Sequence, residues 1–181
     1  MDSIADRVLV WWLRTGRYRW SRLRRRLCER WHLSTVLPPA SSLGEIAACL
    51  RQVKWTMDGP LHLFDCLSYP QTTWAKKEDD CDGFSCLAAE LLYRWNRDCN
   101  PVLVTVLLRP IRYSHTVCVF SAPQGGLCFF DNASLRCDSC QTYGEVVAAI
   151  SRRAQRLVCW DVREPATLEM LEFHNLLVDN Q

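Results

Sequence analysis

The chain has 181 residues, of which 49% are apolar and 23% charged. It is therefore long enough to bury a sizeable core, and its composition excludes a disordered or low-complexity protein. The net charge of +2 is unevenly spread, because residues 1–31 contain nine arginines and three acidic residues while the remainder is net acidic. This local excess calls for a local explanation, such as an anionic partner or an acidic surface of the same chain.

The cysteine count bears on the cellular environment. Eleven cysteines are an odd number and cannot all pair within one chain. The longest early apolar run, Val8 to Leu13, spans six residues and no small-residue cleavage site follows it, so we expect neither a secretory signal nor a membrane span there. We therefore expect a reducing, cytoplasmic location in which most cysteines are buried free thiols.

The N-terminal residues are predicted to form a basic helical arm. Residues 4–31 have helical character, with Gly16 as a weak point, and Pro38 ends the segment. Large apolar residues recur at helical spacing among the arginines: Trp20, Leu23, Leu27 and Trp31. We predict an arm over residues 1–40 and one domain over residues 41–181.

The arginines of the arm leave three interpretations open. They could contact an anionic partner, either a nucleic acid or a membrane surface. The tryptophans could instead pack on the core while the arginines pair with the acidic body, or the arm could make oligomer contacts. The arginines concerned are Arg22, Arg24, Arg25, Arg26 and Arg30.

The remaining elements follow from periodicity. A helix is predicted over 43–57, no regular element over 60–80, and a strongly apolar helix from Cys81 to about Trp95. The rest is predicted as strands over 102–108, 113–120, 127–131 and 157–162, helices over 142–153 and 164–178, and a hairpin loop over 121–126. A central helix followed by an antiparallel hairpin indicates an α+β fold.

One segment carries a chemical signal. Asp79-Asp80-Cys81-Asp82-Gly83-Phe84-Ser85 lies where a polar loop meets the apolar helix. A thiol at a helix N-terminus lies among unpaired backbone N–H groups and near the positive end of the helix dipole, which favours the nucleophilic thiolate. The neighbouring carboxylates oppose this effect, so the interpretation requires a cationic histidine beside Cys81.

His115 and Asp131 complete a candidate triad with Cys81. His115 lies in a predicted strand, and Asp131 ends the next predicted strand. Residues of two antiparallel strands can be neighbours, so Asp131 can orient the imidazole toward Cys81. The predicted roles are nucleophile for Cys81, general acid and base for His115, and orienting group for Asp131.

The order of these motifs resembles the transglutaminase-like superfamily of papain-fold cysteine enzymes. Asp80-Cys81-Asp82-Gly83-Phe84-Ser85 is similar to the signature of bacterial and phage-borne members, and Ser114-His115-Thr116-Val117 and Phe130-Asp131 are similar to the family's His and Asp segments. Pro70-Gln71-Thr72-Thr73-Trp74 resembles the family's approach to the cysteine. The resemblance covers roughly residues 43–135 and implies a central helix bearing the cysteine, packed on a small antiparallel sheet.

The sequence departs from this family at two positions near the cysteine, and the identity of the orienting residue has an alternative. Asp79 stands where the family usually has glycine. Ala75 occupies the position of the papain-type oxyanion glutamine, so Gln71 and Trp74 are the candidate substitutes. Asn132 is an alternative orienting residue, because papain-like enzymes use asparagine in that role.

The resemblance implies acyl transfer on a protein or peptide-like amide through a thioester at Cys81, without a cofactor or a catalytic metal. Hydrolysis, as in a peptidase or amidase, is the favoured outcome. Transfer to an amine is the alternative, and so is a catalytically inactive binding or scaffold protein that uses the basic arm. Because the family is widespread in bacteria and their viruses, a phage-encoded protein acting in the host cytoplasm would fit.

Two metal sites remain as weaker hypotheses. Cys137 and Cys140 form a single Cys-x-x-Cys pair, and structural zinc would require further ligands such as Cys128. We interpret Cys137 and Cys140 as ordinary thiols in a loop. The acidic cluster from Glu78 to Asp82 could bind calcium, although it lacks the pattern of an EF-hand.

Overall fold

The structure is a computed structural model that describes residues 4–57, 66–122 and 125–177. It opens with a continuous helical segment, in which α1 (Ile4–Trp11) leads through a π-helical turn (Trp12–Gly16) into α2 (Arg17–Cys28). A 3₁₀ turn (Arg30–Ser34) follows. Among the described residues, none of the helices has the length and apolar character needed to cross a membrane.

The next elements prepare the position of the candidate nucleophile. They are α3 (Leu43–Leu50), β1 (Lys54–Trp55), α4 (Pro70–Lys76) and β2 (Glu78–Asp79). The prediction that the first of these helices extends to residue 57 is wrong. The chain leaves the helix after Leu50 because Lys54 and Trp55 pair in parallel with β2. The unpredicted helix α4 begins with Pro70 at its first position, where a missing N–H costs nothing.

The centre of the molecule is α5 (Cys81–Trp95), which lies on a six-stranded sheet. The strands are β3 (Val102–Arg109), β4 (His115–Ser121), β5 (Leu127–Asp131), β6 (Ser134–Cys140), β7 (Arg156–Arg163) and β8 (Met170–Asn175), with α6 (Tyr143–Ile150) between β6 and β7 and 3₁₀ turns at Arg97–Cys99 and Ile111–Tyr113. The strand order is β6-β5-β4-β3-β7-β8, and every pair is antiparallel. The predicted α+β class is confirmed.

Side chains of β3 alternate between two apolar layers, as the two-residue period of a strand requires. Leu103 and Leu107 join the core formed with α5, whereas Val104 and Val106 join the layer that includes Val146 of α6. The sheet therefore lies between α5 on one face and α6 on the other. Burial on both faces explains why β3 reads as a continuous apolar run.

The predicted C-terminal helix over 164–178 is wrong, because the described part of this range contains a turn and then β8. β8 pairs with β7, and in this register His174 lies opposite Trp160, with the two rings stacked 3.9 Å apart. Backbone pairing with a neighbouring strand overrides the weak helical preference of the segment.

The prediction that Cys137 and Cys140 lie in a loop is wrong, and so is the prediction that Cys137 is an ordinary thiol, whereas Cys140 takes no part in a disulfide. Both lie in β6, and Cys137 forms a disulfide with Cys128 of the adjacent β5. Two of the three thiols proposed for zinc are therefore not available as ligands. Residues 123 and 124 of the predicted hairpin loop lie outside the described residues.

The N-terminal helices are packed on the body along one face. Leu9, Leu13 and Tyr18 are buried in the same core as α5. The interpretation in which the tryptophans of the arm's basic segment pack on the core is wrong, since Trp20 of α2 is 51% exposed and Trp31 of the following 3₁₀ turn is 66% exposed. The buried face of α2 is instead largely polar, because α2 contacts the body through charged and hydroxyl groups.

Candidate active site

Cys81 is the first residue of α5, as predicted. Asp80 precedes it as the N-cap, and its Oδ1 accepts a hydrogen bond from the Asp82 N–H at 2.9 Å. The Asp80 carbonyl accepts from the Phe84 N–H at 3.1 Å. The Cys81 thiol is thus fixed in the first helical turn, where backbone N–H groups and the helix dipole favour a negative charge.

The carboxylates around Cys81 all have partners within the protein. Asp79 accepts from the Thr73 hydroxyl at 2.6 Å and from the Asp80 N–H at 3.0 Å. Asp82, which is completely buried, forms an ion pair with Arg17 of α2. The charge of Asp82, one of the carboxylates that oppose a thiolate at Cys81, is therefore compensated by a cation from the N-terminal arm, which was not predicted to lie at the site.

Gly83 is required by the packing of Asp79. A Cβ atom at residue 83 would lie 2.0 Å from Cγ of Asp79, far inside van der Waals contact. The glycine in the sequence Cys81-Asp82-Gly83 therefore allows the Asp79 carboxylate to lie directly against the first turn of α5. A hydrogen-bonded carboxylate at this point connects α4, β2 and the start of α5.

His115 and Asp131 are brought together by the β4–β5 pairing. His115 Nε2 lies 2.8 Å from Asp131 Oδ1. The register pairs Cys118 with Phe130, so its continuation sets Asp131 opposite Val117 and makes His115 its diagonal neighbour on the same face. Asn132, the alternative orienting residue, lies in the following turn with φ of 51° and also lines the cleft.

Cys81 and His115 form the second contact of the triad. Burial lowers the pKa of His115, but its hydrogen bonds with Asp131 and Cys81 and the negative charges of both groups outweigh burial and raise the pKa to about 10. The hydrogen bond with His115 lowers the pKa of Asp131, which keeps it ionised. His115 is therefore held in its protonated, cationic form beside Cys81 at neutral pH.

Other cysteines of the chain lie in different electrostatic surroundings. Burial raises the pKa of Cys86 to about 11 and that of Cys159 to about 12. Burial also raises the pKa of Cys118 well above its ordinary value. These thiols are protonated at neutral pH and unreactive, as expected of thiols in apolar surroundings.

Ser85 connects the nucleophile to the histidine strand. Its Oγ lies 2.7 Å from the Cys81 carbonyl and 3.1 Å from the carbonyl of Thr116, the residue after His115. The single hydroxyl proton can be donated to either carbonyl. Ser85 thus holds the first turn of α5 against the start of β4, which fixes the distance between Cys81 and His115.

The triad opens into a cleft of about 680 Å³. Trp55 and Met57, after α3, form part of its wall and are about half exposed. Four exposed arginines also line the wall: Arg112, Arg136, Arg152 and Arg153. Among the described residues that line the cleft, Asp131 is the only acidic one, so the cleft has a positive potential.

The two predicted oxyanion candidates are placed away from Cys81. Gln71 lines a different cavity, together with Cys86 and Tyr93. Trp74 packs against the core and carries the ammonium of Lys77 over its ring. Neither residue is among the described residues that line the two cavities reached by Cys81.

Cys81 and its two neighbouring carboxylates are the one group of described side chains close enough together to be considered as ligands for a cation. The ligand atoms of Asp80, Cys81 and Asp82 lie within 4.8 Å of one another. Asp82 Oδ2 is paired with Arg17 and Asp80 Oδ1 caps α5. Among the described residues, the buried Asp80 Oδ2 and Asp82 Oδ1 have no hydrogen-bond partner.

For several residues of the site, nothing in the sequence indicated that they lie near Cys81. Trp55 reaches the cleft only because β1 pairs with β2, which immediately precedes the Asp80 cap. Arg17 lies 65 residues from Asp82 in the chain. The adjacent pair Arg152 and Arg153 was visible as a basic dipeptide, but nothing in the sequence indicated that it lines the cleft.

The comparisons with known proteins do not identify a family for this chain. No protein-family model matches it, and no curated protein matches it.

Proposed function

We propose that the chain is a cysteine-dependent acyl-transfer enzyme of the papain-like, transglutaminase-like type, which hydrolyses an amide or peptide bond. The observation that carries the proposal is the contact series at the cleft. His115 lies 2.8 Å from Asp131 through Nε2 and is hydrogen-bonded to Cys81 at the start of α5. His115 thus contacts both the proposed orienting group and the proposed nucleophile.

The first half-reaction forms a thioester. The Cys81 thiolate attacks the carbonyl carbon, so a C–S bond forms and the carbonyl oxygen becomes an oxyanion. We assign the Cys81 N–H, in the first turn of α5, as one donor to this oxyanion. His115 then transfers its proton to the leaving amine as the C–N bond breaks.

The second half-reaction returns the enzyme to its starting state. Water attacks the thioester carbonyl while His115 accepts a proton from it. The C–S bond breaks, the acid product leaves, and the thiolate–imidazolium pair is restored. If an amine replaced water, the same residues would give transamidation. The two outcomes are distinguished by the product, which is an acid after hydrolysis and a new amide after transamidation.

The cleft indicates which substrates suit the site. Arg112, Arg136, Arg152 and Arg153 line its wall and are exposed. A positive cleft concentrates anionic ligands and repels cationic ones. We therefore propose an acidic segment of a protein or peptide as the substrate, with its negative charges beside the bond that is cleaved.

Site-resolved alkylation tests the triad without knowledge of the substrate. Limiting iodoacetamide at neutral pH, read by mass spectrometry for every cysteine, is applied to the wild type and to His115→Ala. Cys28 is an exposed free thiol and serves as the accessibility control. Cys81 is only 8% exposed, so accessibility alone would make it slower than Cys28.

We expect Cys81 to react ahead of Cys28 in the wild type and to lose that advantage in His115→Ala, while Cys28 is unaffected. Unfolding curves of both proteins verify that the variant is folded. If Cys81 reacts more slowly than Cys28 in the wild type, or if the loss of His115 changes nothing, the thiolate–imidazolium pair does not exist and the proposed activity is wrong.

A further inference from the structure

The outward face of the N-terminal helices is unusual because it is apolar. Along α1 and α2, buried residues recur every three or four positions, as in Leu9, Leu13, Arg17, Ser21 and Arg25. This pattern shows that one side of the whole segment faces the body. The opposite side carries a stripe of exposed apolar residues: Ile4, Val8, Trp11, Trp20, Leu23 and Leu27. The exposed Trp31 follows in the 3₁₀ turn.

The normal polarity of a surface helix is reversed in α2. Trp20, Leu23 and Leu27 are between 45% and 67% exposed. The buried side contains Arg17 and Arg25, and Arg25 donates to the carbonyls of Leu67 at 2.9 Å and Ser68 at 2.7 Å. Arg25 is therefore not available to an external partner, contrary to the prediction from sequence, and the body holds α2 by polar contacts.

The exposed charged side chains beside the apolar stripe are all positive. Arg19 and Arg26, seven residues apart, share one flank of α2 and are exposed, as are Arg7 and Arg30. The acidic residues within 4–36 are Asp6 and Glu29, and both are buried. Asp6 is bound by Arg109, and Glu29 accepts from the Tyr69 N–H at 2.8 Å. No described acidic side chain of this segment is exposed.

We propose that this face binds an anionic lipid surface, with the helices lying in the plane of the membrane interface. Tryptophan and leucine side chains insert at the boundary between head groups and acyl chains, and flanking arginines bind the acidic head groups. A second copy of the chain fits less well, since two such faces would bring like-charged arginines together. Nucleic acid would bind the arginines but leave the apolar stripe in water.

Flotation of the full-length protein with vesicles tests the proposal. Vesicles of phosphatidylcholine alone are compared with vesicles of equal parts phosphatidylcholine and phosphatidylglycerol. We expect binding to the anionic vesicles that weakens as salt is raised. Arg19→Gln with Arg26→Gln should weaken binding about fivefold for each arginine removed. Trp20→Gln with Leu27→Gln should weaken it more than tenfold.

A matched control distinguishes binding through this face from non-specific adsorption of the protein to vesicles. Met170→Gln with Leu171→Gln removes two exposed apolar residues of β8 and should leave flotation unchanged. All these side chains are exposed, so the variants should fold. The proposal is overturned if the wild type does not float with anionic vesicles, or if it binds an oligonucleotide instead. It is also overturned if the wild type is a dimer in solution that Trp20→Gln with Leu27→Gln converts to a monomer, because the face would then bind a second copy of the chain. None of these readouts depends on enzymatic activity.

Discussion

Arg17 of the N-terminal arm forms a buried ion pair with Asp82, the residue next to the candidate nucleophile, and their side chains are 7% and 1% exposed. The arm is thus part of the environment of Cys81 and not only an appendage to the body. It also contributes Leu9, Trp12 and Leu13 to a small cavity that Cys81 and His115 line from the other side.

Removing one member of the Arg17–Asp82 pair should lower the stability of the fold. Arg17→Met leaves the Asp82 charge buried without its cation, and we expect the free energy of unfolding to fall by about 3–5 kcal/mol. The double variant Arg17→Met, Asp82→Asn should recover part of this loss, because no charge is then stranded. Urea unfolding of the two single variants and the double variant measures the coupling. Strictly additive losses would show that the pair does not act as a unit.

The raised pKa of His115 depends on Cys81. Cys81→Ser removes the part of the shift that Cys81 supplies and leaves the Asp131 hydrogen bond, so we expect the pKa of His115 to fall below about 10 but to stay above its ordinary value. Titration of the histidine ring signals by NMR measures the shift. Cys86→Ser, a change at another buried thiol of α5, is the control and should leave His115 unaltered. An unchanged His115 titration in Cys81→Ser would show that the two groups are not in contact.

The same pKa predicts how stability depends on pH. The folded pKa of about 10 lies above the ordinary value of 6.5, so protonated His115 stabilises the fold. This contribution is fully present below about pH 6.5, declines between 6.5 and 10, and is absent above pH 10. The difference in unfolding free energy between the wild type and His115→Gln should follow this profile in urea titrations. A difference independent of pH would contradict a raised pKa.

Gly83 should not tolerate a side chain. In Gly83→Ala, the new Cβ would clash with Asp79 and displace either the carboxylate or the start of α5. We expect a loss of stability and slower alkylation of Cys81. Gly144→Ala is the control, because its Cβ would meet no atom closer than 3.8 Å, so the change should stabilise α6 by about 0.5–1 kcal/mol. Equal tolerance of the two changes would show that the Asp79 contact is absent.

The charge of the cleft should determine substrate preference. Arg152→Glu with Arg153→Glu reverses two charges on its wall, and we expect kcat/KM for an acidic peptide to fall on the order of tenfold relative to a neutral peptide of the same length. Arg51→Glu, an exposed arginine that is not among the cleft residues, should leave the ratio unchanged. A preference for acidic peptides that persists in the double variant would place recognition elsewhere.

Local sequence was sufficient to predict the elements that carry the triad. The start of α5 at Cys81 follows from the boundary between a polar loop and an apolar helical run, and β3, β4 and β5 follow from continuous β-branched and aromatic residues. These elements form where short-range preference and burial agree. The register of β4 and β5 then brings His115 and Asp131 together, which could be expected from two consecutive strands but was fixed only by their pairing.

The remaining elements and the directions of the arm's side chains were decided by long-range contacts. Their stability depends on partners that are distant in the chain, so local sequence does not reveal them. β6 and β8 exist because each pairs with a neighbouring strand, while their own sequences are weakly patterned. The sequence showed the arginines and tryptophans of residues 1–31 but not their directions. Only tertiary packing turned Arg17 and Arg25 inward, toward Asp82 and buried carbonyls, and left Trp20 and Leu27 in water.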